Sequence, residues 1–430
     1  MLLGRWSPAL ARRDFALFAA AVLAMVLANQ MIAVAIGWQV YDVAHEAIDL
    51  GLIGLLEFAP VFLLAVPAGH LADRIPRQRV MIAAVTLSGA IAAALILVSA
   101  GGAHKLWPFL LLAIANGIST ALSFPASRSL PPMLVEHELV GAAMTIRSVT
   151  NQAAMVGGPA LGGFLFALSP EVTYATALGL FVAALVCLAL VRVRHIADAG
   201  RIEPLNMRTL LAGIEFIGRS PMLLGAISLD LFAVLFGGAV ALLPLFAQSI
   251  LHTGPVGLGV LRSAPAAGAV VAGILLVRRP LTERAGPVLL ACVSGFGASI
   301  VVFGLSRVFA LSVAALVVSG AFDMFSVNIR TNAVTYATPN WVRGRVGAVE
   351  AVFIGASNQL GAFESGAAAA LLGAVPAVVC GGAVTIVIAL AWTRLFPGLA
   401  KLDRMQDLEP PEEEPASHDE EPLEPARLTY

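Results

Sequence analysis

Seven ionisable side chains sit inside long apolar stretches of this sequence: Glu57, Arg147, Asp230, Arg262, Asp323, Glu350 and Glu364. A charge at the centre of a bilayer costs about 2.5–3.5 kcal/mol on insertion scales, so each of them needs a reason. Fixed ion pairs that hold helices together are one reason, and proton or substrate handling is the other; spacing alone leaves both open. Other chemistries lack their residues. The sequence has no Walker loop, no GxSxG and no HExxH, its seven His are scattered, and Cys187, Cys292 and Cys380 show no CxxC or CxxH spacing. No catalytic residue, metal, cofactor or nucleotide is therefore expected.

A second charged group closes an apolar run at residues 67–80, PAGHLADRIPRQRV. Its Gly69, Asp73, Arg74, Arg77 and Arg79 suit a catalytic carboxylate, a nucleic-acid patch or a membrane-edge turn equally well by type. Its place in the chain decides among them.

The elements that position these groups follow from composition. Of 430 residues 59% are hydrophobic and 12% charged, with a mean hydropathy of +0.89. Soluble proteins carry about 25% charged residues, so this chain cannot cover a water-facing surface and reads as an all-α integral membrane protein. Apolar windows fall near 15–41, 49–71, 79–99, 107–130, 141–168, 172–191, 222–250, 256–277, 286–306, 309–331, 345–370 and 374–396, which predicts twelve transmembrane helices. The first window is too long for a signal-peptide core and stays as the first span. With both termini inside, the outer connections hold only Lys105 and Arg307, as the positive-inside rule requires. The charged stretch at 67–80 then falls where the second span meets the cytoplasmic face, which excludes the catalytic and nucleic-acid readings.

Two halves are expected. Residues 1–191 form an N-terminal six-helix bundle and 222–400 a C-terminal one. Between them lies a linker at 192–221, where Leu210, Leu211, Ile214 and Ile217 recur at helical spacing and predict a short helix on the inner membrane surface. Residues 401–430 form an acidic, Pro-rich tail expected to be disordered. An internal repeat supports the division: Pro132 precedes Asn151-Gln152 as Pro339 precedes Asn358-Gln359, and Leu50-Gly51 with Ala59-Pro60 is echoed by Leu258-Gly259 with Ala264-Pro265. Duplicated halves place a substrate between them near the midplane.

These motifs resemble the major facilitator superfamily over about residues 10–400. Gly69, Asp73, Arg74 and Arg77 match its loop signature after the second span, with Pro76 where the family prefers Gly. Gly158, Pro159, Gly162 and Gly163 match the core of its antiporter motif in the fifth span, with ordinary small-residue packing as the alternative. The runs 123–139 and 339–348 resemble the inner loops of the drug-efflux branch that contains macrolide efflux proteins and the enterobactin exporter. The resemblance implies two pseudo-symmetric six-helix bundles in a bacterial cytoplasmic (inner) membrane, and export of a small amphipathic molecule by proton antiport. Its partners would be the lipid bilayer, a small-molecule cargo and protons, with a monomer as the default. It further implies that spans 1, 4, 7 and 10 line a cavity, giving Asn29, Gln30, Asn116, Asp230 and Asp323 as cavity residues. Spans 2 and 11 would meet, so Glu57 and Glu364, at similar depth, would share one proton, and either they or Asp323 would couple transport. Arg147 and Arg262 are ion-pair candidates, and Asp73, oriented by Arg74, would latch the inner gate at the start of span 11. An importer of small nutrients, and a nontransporting scaffold or sensor that uses the acidic tail for docking, are the alternatives.

Overall fold

Two Ser-Pro pairs show how local sequence starts the helices. The Ser169 hydroxyl accepts from the Val172 amide at 3.1 Å with Pro170 at the first helical position, and Ser220 accepts from Leu223 at 3.5 Å ahead of Pro221. A hydroxyl caps a free amide there, and the proline, which lacks one, suits the first turn. The computed structural model describes residues 8–102, 104–193, 207–279, 283–339 and 341–408; within these, the side chains at 65–74, 207–210, 351 and 407 are outside the described set.

The first half contains α1 (Arg13–Ala44), α2 (Ala47–Arg74), α3 (Arg77–Ala100), α4 (Trp107–Ser129), α5 (Val140–Phe166) and α6 (Pro170–Leu190). The linker carries α7 (Met207–Arg219). The second half contains α8 (Pro221–Gly237), which continues through short turns to Ile250, then α9 (Gly254–Arg278), α10 (Ala285–Leu305), α11 (Phe309–Ala337), α12 (Arg343–Leu372) and α13 (Ala374–Leu395). Among the described residues ten segments are long and apolar enough to cross a membrane. Helices α5 and α12 occupy the places expected for the fifth and eleventh spans and are long enough, at 27 and 30 residues. They fall short in apolar composition because Arg147, Asn151 and Gln152 interrupt one, and Arg345, Glu350, Asn358, Gln359 and Glu364 the other.

Packing repeats between the halves. In the first, α1 lies against α5 and α6, α2 against α4, and α3 against α4 and α6; in the second, α8 lies against α12 and α13, α9 against α11, and α10 against α11 and α13. The all-helical fold is thus two pseudo-symmetric bundles, joined by α2 on α12 and by α5 on α9. The side where α6 ends and α8 begins is called the linker face below.

Both seams are glycine on glycine toward the far face. A Cβ on Gly163 would lie 2.5 Å from the Pro255 carbonyl oxygen and 2.9 Å from Gly259 Cα, and one on Gly366 would lie 2.9 Å from Gly51 Cα. Small residues allow this approach, which is how helices gain contact where lipid removes the hydrophobic drive. The far end is sealed further by Tyr41 Oη and Ser249 Oγ at 2.8 Å, and by Gln248 Nε2 donating to the Trp38 carbonyl at 3.1 Å. Gly259→Val should force α5 from α9 and penalise the sealed state by about 1–3 kcal/mol, the usual cost of overpacking. The expected readout is a drop of roughly tenfold in cross-linking between Trp38→Cys and Gln248→Cys, in a chain freed of its three native cysteines.

Helix α7 packs its Gly213 against Arg345 and Val349 of α12 and its Phe216 against Trp341, with ring centroids 5.9 Å apart, and leaves Leu211 and Ile214 exposed. After α14 (Pro397–Ala400) the chain stays docked up to Leu408. Asp403 accepts from the Arg284 amide at 3.0 Å, and Leu402 and Met405 are buried. Order therefore extends past residue 401 because apolar side chains continue to the start of the acidic run; the remainder of the expected tail, 409–430, lies outside the described residues.

Candidate functional site

Helix α2 presents Glu57 one turn before Pro60, and α9 presents Arg262 one turn before Pro265, so the internal repeat puts opposite charges at matching positions of the two halves. Both line a central cavity of about 690 Å³ between the bundles. Glu57 Oε1 accepts from Asn116 Nδ2 at 3.1 Å. Arg262 Nη1 points to the Ala33 carbonyl at 3.4 Å, and its guanidinium lies within electrostatic reach of Glu57. Asp323 of α11 supplies a second carboxylate to the same walls.

Asn29, Gln30 and Asn116, read from the sequence as cavity residues, also line it. Gln152, Asn358 and Gln359 line it too, and these were missed as site residues although the repeated Asn-Gln pair was the signal for them. Polar amides duplicated in two otherwise apolar spans point inward because lipid would leave them unsatisfied. Gln152 Nε2 donates across the halves to the Ala266 carbonyl at 3.1 Å. Apolar walls come from residues such as Ile36, Ile53, Met155, Met324 and Val327. The space can hold a drug-sized molecule, with one cation, two carboxylates and several amides to orient it.

Asp230 is not among the residues that line this cavity. It is paired with Arg330 inside the second bundle, at 9% and 3% exposure respectively. A small separate void is lined by Asp230, Ser326, Phe296 and Asp323, so Asp323 faces both spaces. The sequence could not show the pairing, because Asp230 and Arg330 are a hundred positions apart and their helices meet only in the fold.

Glu57 and Glu364 are not brought together. Gly54 of α2 faces Gln359 and Ala362, Gly51 faces Ala362 and Phe363, and Ala47 faces Gly366. This antiparallel register puts Glu57 beside the Ala356 level and Glu364 beside Asp49, a little over two turns or ~12 Å apart. Similar depth was inferred from span ends, but α12 runs past the start of α2, which shifts the register. Arg147 keeps a buried Nε without a hydrogen-bond partner, and so does Glu350 with Oε1.

The antiporter-motif residues divide between two neighbours. Gly158 meets Gln30 and Gly162 meets Met31, both on α1, while Pro159 and Gly163 face Gly259 across the halves. Arg77 reaches the Ser129 carbonyl at 3.4 Å and Met133 Sδ at 3.6 Å, tying the start of α3 to the end of α4. The surroundings of Gly69 and the side chains of Asp73 and Arg74 lie outside the described set.

The sequence profile of the transmembrane secretion effector family matches residues 3–426. A staphyloferrin A transporter of Staphylococcus aureus is 28% identical over 43% of this chain and 47% of its own length, so the match spans just under half of that relative. An enterobactin exporter of Citrobacter koseri is 27% identical over 74% of this chain and 76% of its own. Macrolide efflux protein A of Streptococcus pyogenes is 22% identical over 58% and 63%. Among solved structures, a nucleoside transporter superposes with a TM-score of 0.71 at 12% identity, covering 89% of this chain and all of that one. A bacterial homologue of ferroportin superposes with a TM-score of 0.65 at 18% identity, covering 91% and 99%. These superpositions show the shared fold. With duplicated bundles around a charged central cavity and a family match along nearly its whole length, the chain belongs to the major facilitator superfamily, within the transmembrane secretion effector family.

Proposed function

We propose that this membrane transporter exports a small amphipathic molecule across the bacterial cytoplasmic membrane, by proton antiport with alternating access. The observation that carries the reading is the central cavity, where Asp323 and the Glu57–Arg262 couple face apolar walls between two bundles sealed together at the far face. The halves at residues 1–191 and 222–400 move as bodies about the cavity, with the 192–221 linker and both termini on the cytoplasmic side. Export as the direction rests on relatives described as exporters and efflux proteins. The amides and the single described cation of the walls suit an amphipathic cargo that carries carbonyl and hydroxyl oxygens.

In this reading Asp323 binds the proton, because it alone of the candidate acids faces both the cavity and the inner void. Asp73 latches the cytoplasmic end against the N-terminal dipole of α12 while the far side is open. Asp73→Asn should leave insertion intact and slow alternation by roughly tenfold; normal transport kinetics would remove the latch. The reading as a whole is tested by comparing strains that lack and overexpress the chain. Export predicts lower intracellular levels of a macrolide, or more secreted enterobactin, on overexpression. Higher cell accumulation of a small nutrient would instead establish import.

A further inference from the structure

Each half ends a glycine seam with a charged residue one turn nearer the linker face. On α9, Gly259 lies against Pro159 and Gly163, Arg262 Nη1 donates to the Ala33 carbonyl at 3.4 Å, and the Ala266 carbonyl accepts from Gln152 at 3.1 Å. This face of α9 thus meets the first half at three successive levels. On α2, Gly51 and Gly54 lie against Ala362, and Glu57 follows at the same helical spacing. Arg262 and Glu57 therefore roof the central cavity from opposite halves, just inside the seams.

Both groups keep hydrogen-bonding capacity to spare. A guanidinium carries five N–H donors, and the bond from Arg262 to Ala33 is long. Glu57 accepts from Asn116 at 3.1 Å, which leaves its carboxylate able to accept more. Among the described residues the two form no ion pair with each other, although they are opposite in charge and line one cavity. A space between a donor fork and an acceptor is filled by a group that accepts on one side and donates on the other.

We infer that this space is a cargo subsite, which takes an oxygen acceptor at Arg262 and a neighbouring hydroxyl at Glu57, and that the cargo is neutral or cationic rather than an acid. Charge decides the second part. Glu57 balances Arg262 and Asp323 is the remaining acid of the walls, so a cargo carboxylate would put a second unmatched negative charge between the bundles. A hydroxyketone or hydroxy-ester edge on an apolar body meets both conditions. Because Arg262 belongs to the second half and Glu57 to the first, such a cargo also bridges the halves beneath the seams. The subsite rests on the export reading for its purpose, but its test needs no transport.

Saturable binding of four probes with one apolar body is measured on the full chain in detergent: ethylnaphthalene, naphthyl methyl ketone, naphthyl hydroxymethyl ketone and naphthoate. In wild type the ketone oxygen and then the hydroxyl should each tighten binding by roughly tenfold, the size expected of a charge-assisted hydrogen bond. Arg262→Met should abolish the ketone step and Glu57→Leu the hydroxyl step. Each step is a ratio taken on a single variant, so a loss of folded protein does not imitate it. Arg262→Lys and Glu57→Gln should keep part of each step, which keeps the test open if the apolar variants fail to fold. Equal affinity for the three uncharged probes in wild type, or a step that survives in full without its residue, would overturn the subsite. Naphthoate as the tightest ligand would overturn the charge class. Both steps present in a chain that exports nothing in the strain comparison would count against the export reading and leave the subsite standing.

Discussion

Arg330→Met should be the most damaging single substitution in the second bundle, costing about 3–5 kcal/mol of stability. Its guanidinium is 3% exposed and its partner Asp230 9% exposed, so removing it strands a carboxylate among helices with no water to solvate it. In a bundle of this size that loss corresponds to a fall of roughly 10 °C in the unfolding midpoint, read by thermal scans in detergent. Adding Asp230→Leu should recover most of the loss, since an apolar pair of similar volume often replaces a buried ion pair without penalty. If Asp230 shares protons with Asp323 through the void that both line, the rescued protein should still fail to couple protons. Full coupling in the double variant would show that the pair is only structural.

Asp323→Asn should separate the two activities that a coupled transporter combines. An amide keeps the size and hydrogen bonding of the acid but cannot take up a proton, so cargo exchange should persist within about twofold. Gradient-driven accumulation should fall at least ~100-fold, to the level of simple equilibration. Glu57→Gln should behave differently. It leaves Arg262 without a facing countercharge, at a site where Asn116 still offers its amide, so cargo binding should change while coupling survives. Comparing exchange with uphill transport for both variants distinguishes these roles.

Much of this architecture is legible in the sequence because a bilayer imposes strict rules. Span length, the Arg and Lys bias and the Ser-Pro starts of α6 and α8 are local signals, and they place the helices to within a few residues. The repeat of Asn151-Gln152 at Asn358-Gln359 carried more than it was credited with, since members of both pairs face the cavity. Partnerships between distant helices are what local signals cannot give. Asp230 with Arg330, and the offset of Glu57 from Glu364, depend on how far one helix slides along another, and a single turn of slip exchanges a cavity residue for a buried one.

The central claim is that cargo leaving and protons entering are one event at Asp323. Inverted membrane vesicles acidified inside, and loaded with a luminal pH dye, measure it most directly when the macrolide or siderophore implicated by the strain comparison is added. Antiport predicts that probe uptake raises the luminal pH in wild-type vesicles, and that Asp323→Asn vesicles exchange the probe without any luminal pH change. Probe uptake with no proton movement in wild type, or an equal pH rise in Asp323→Asn, would contradict it.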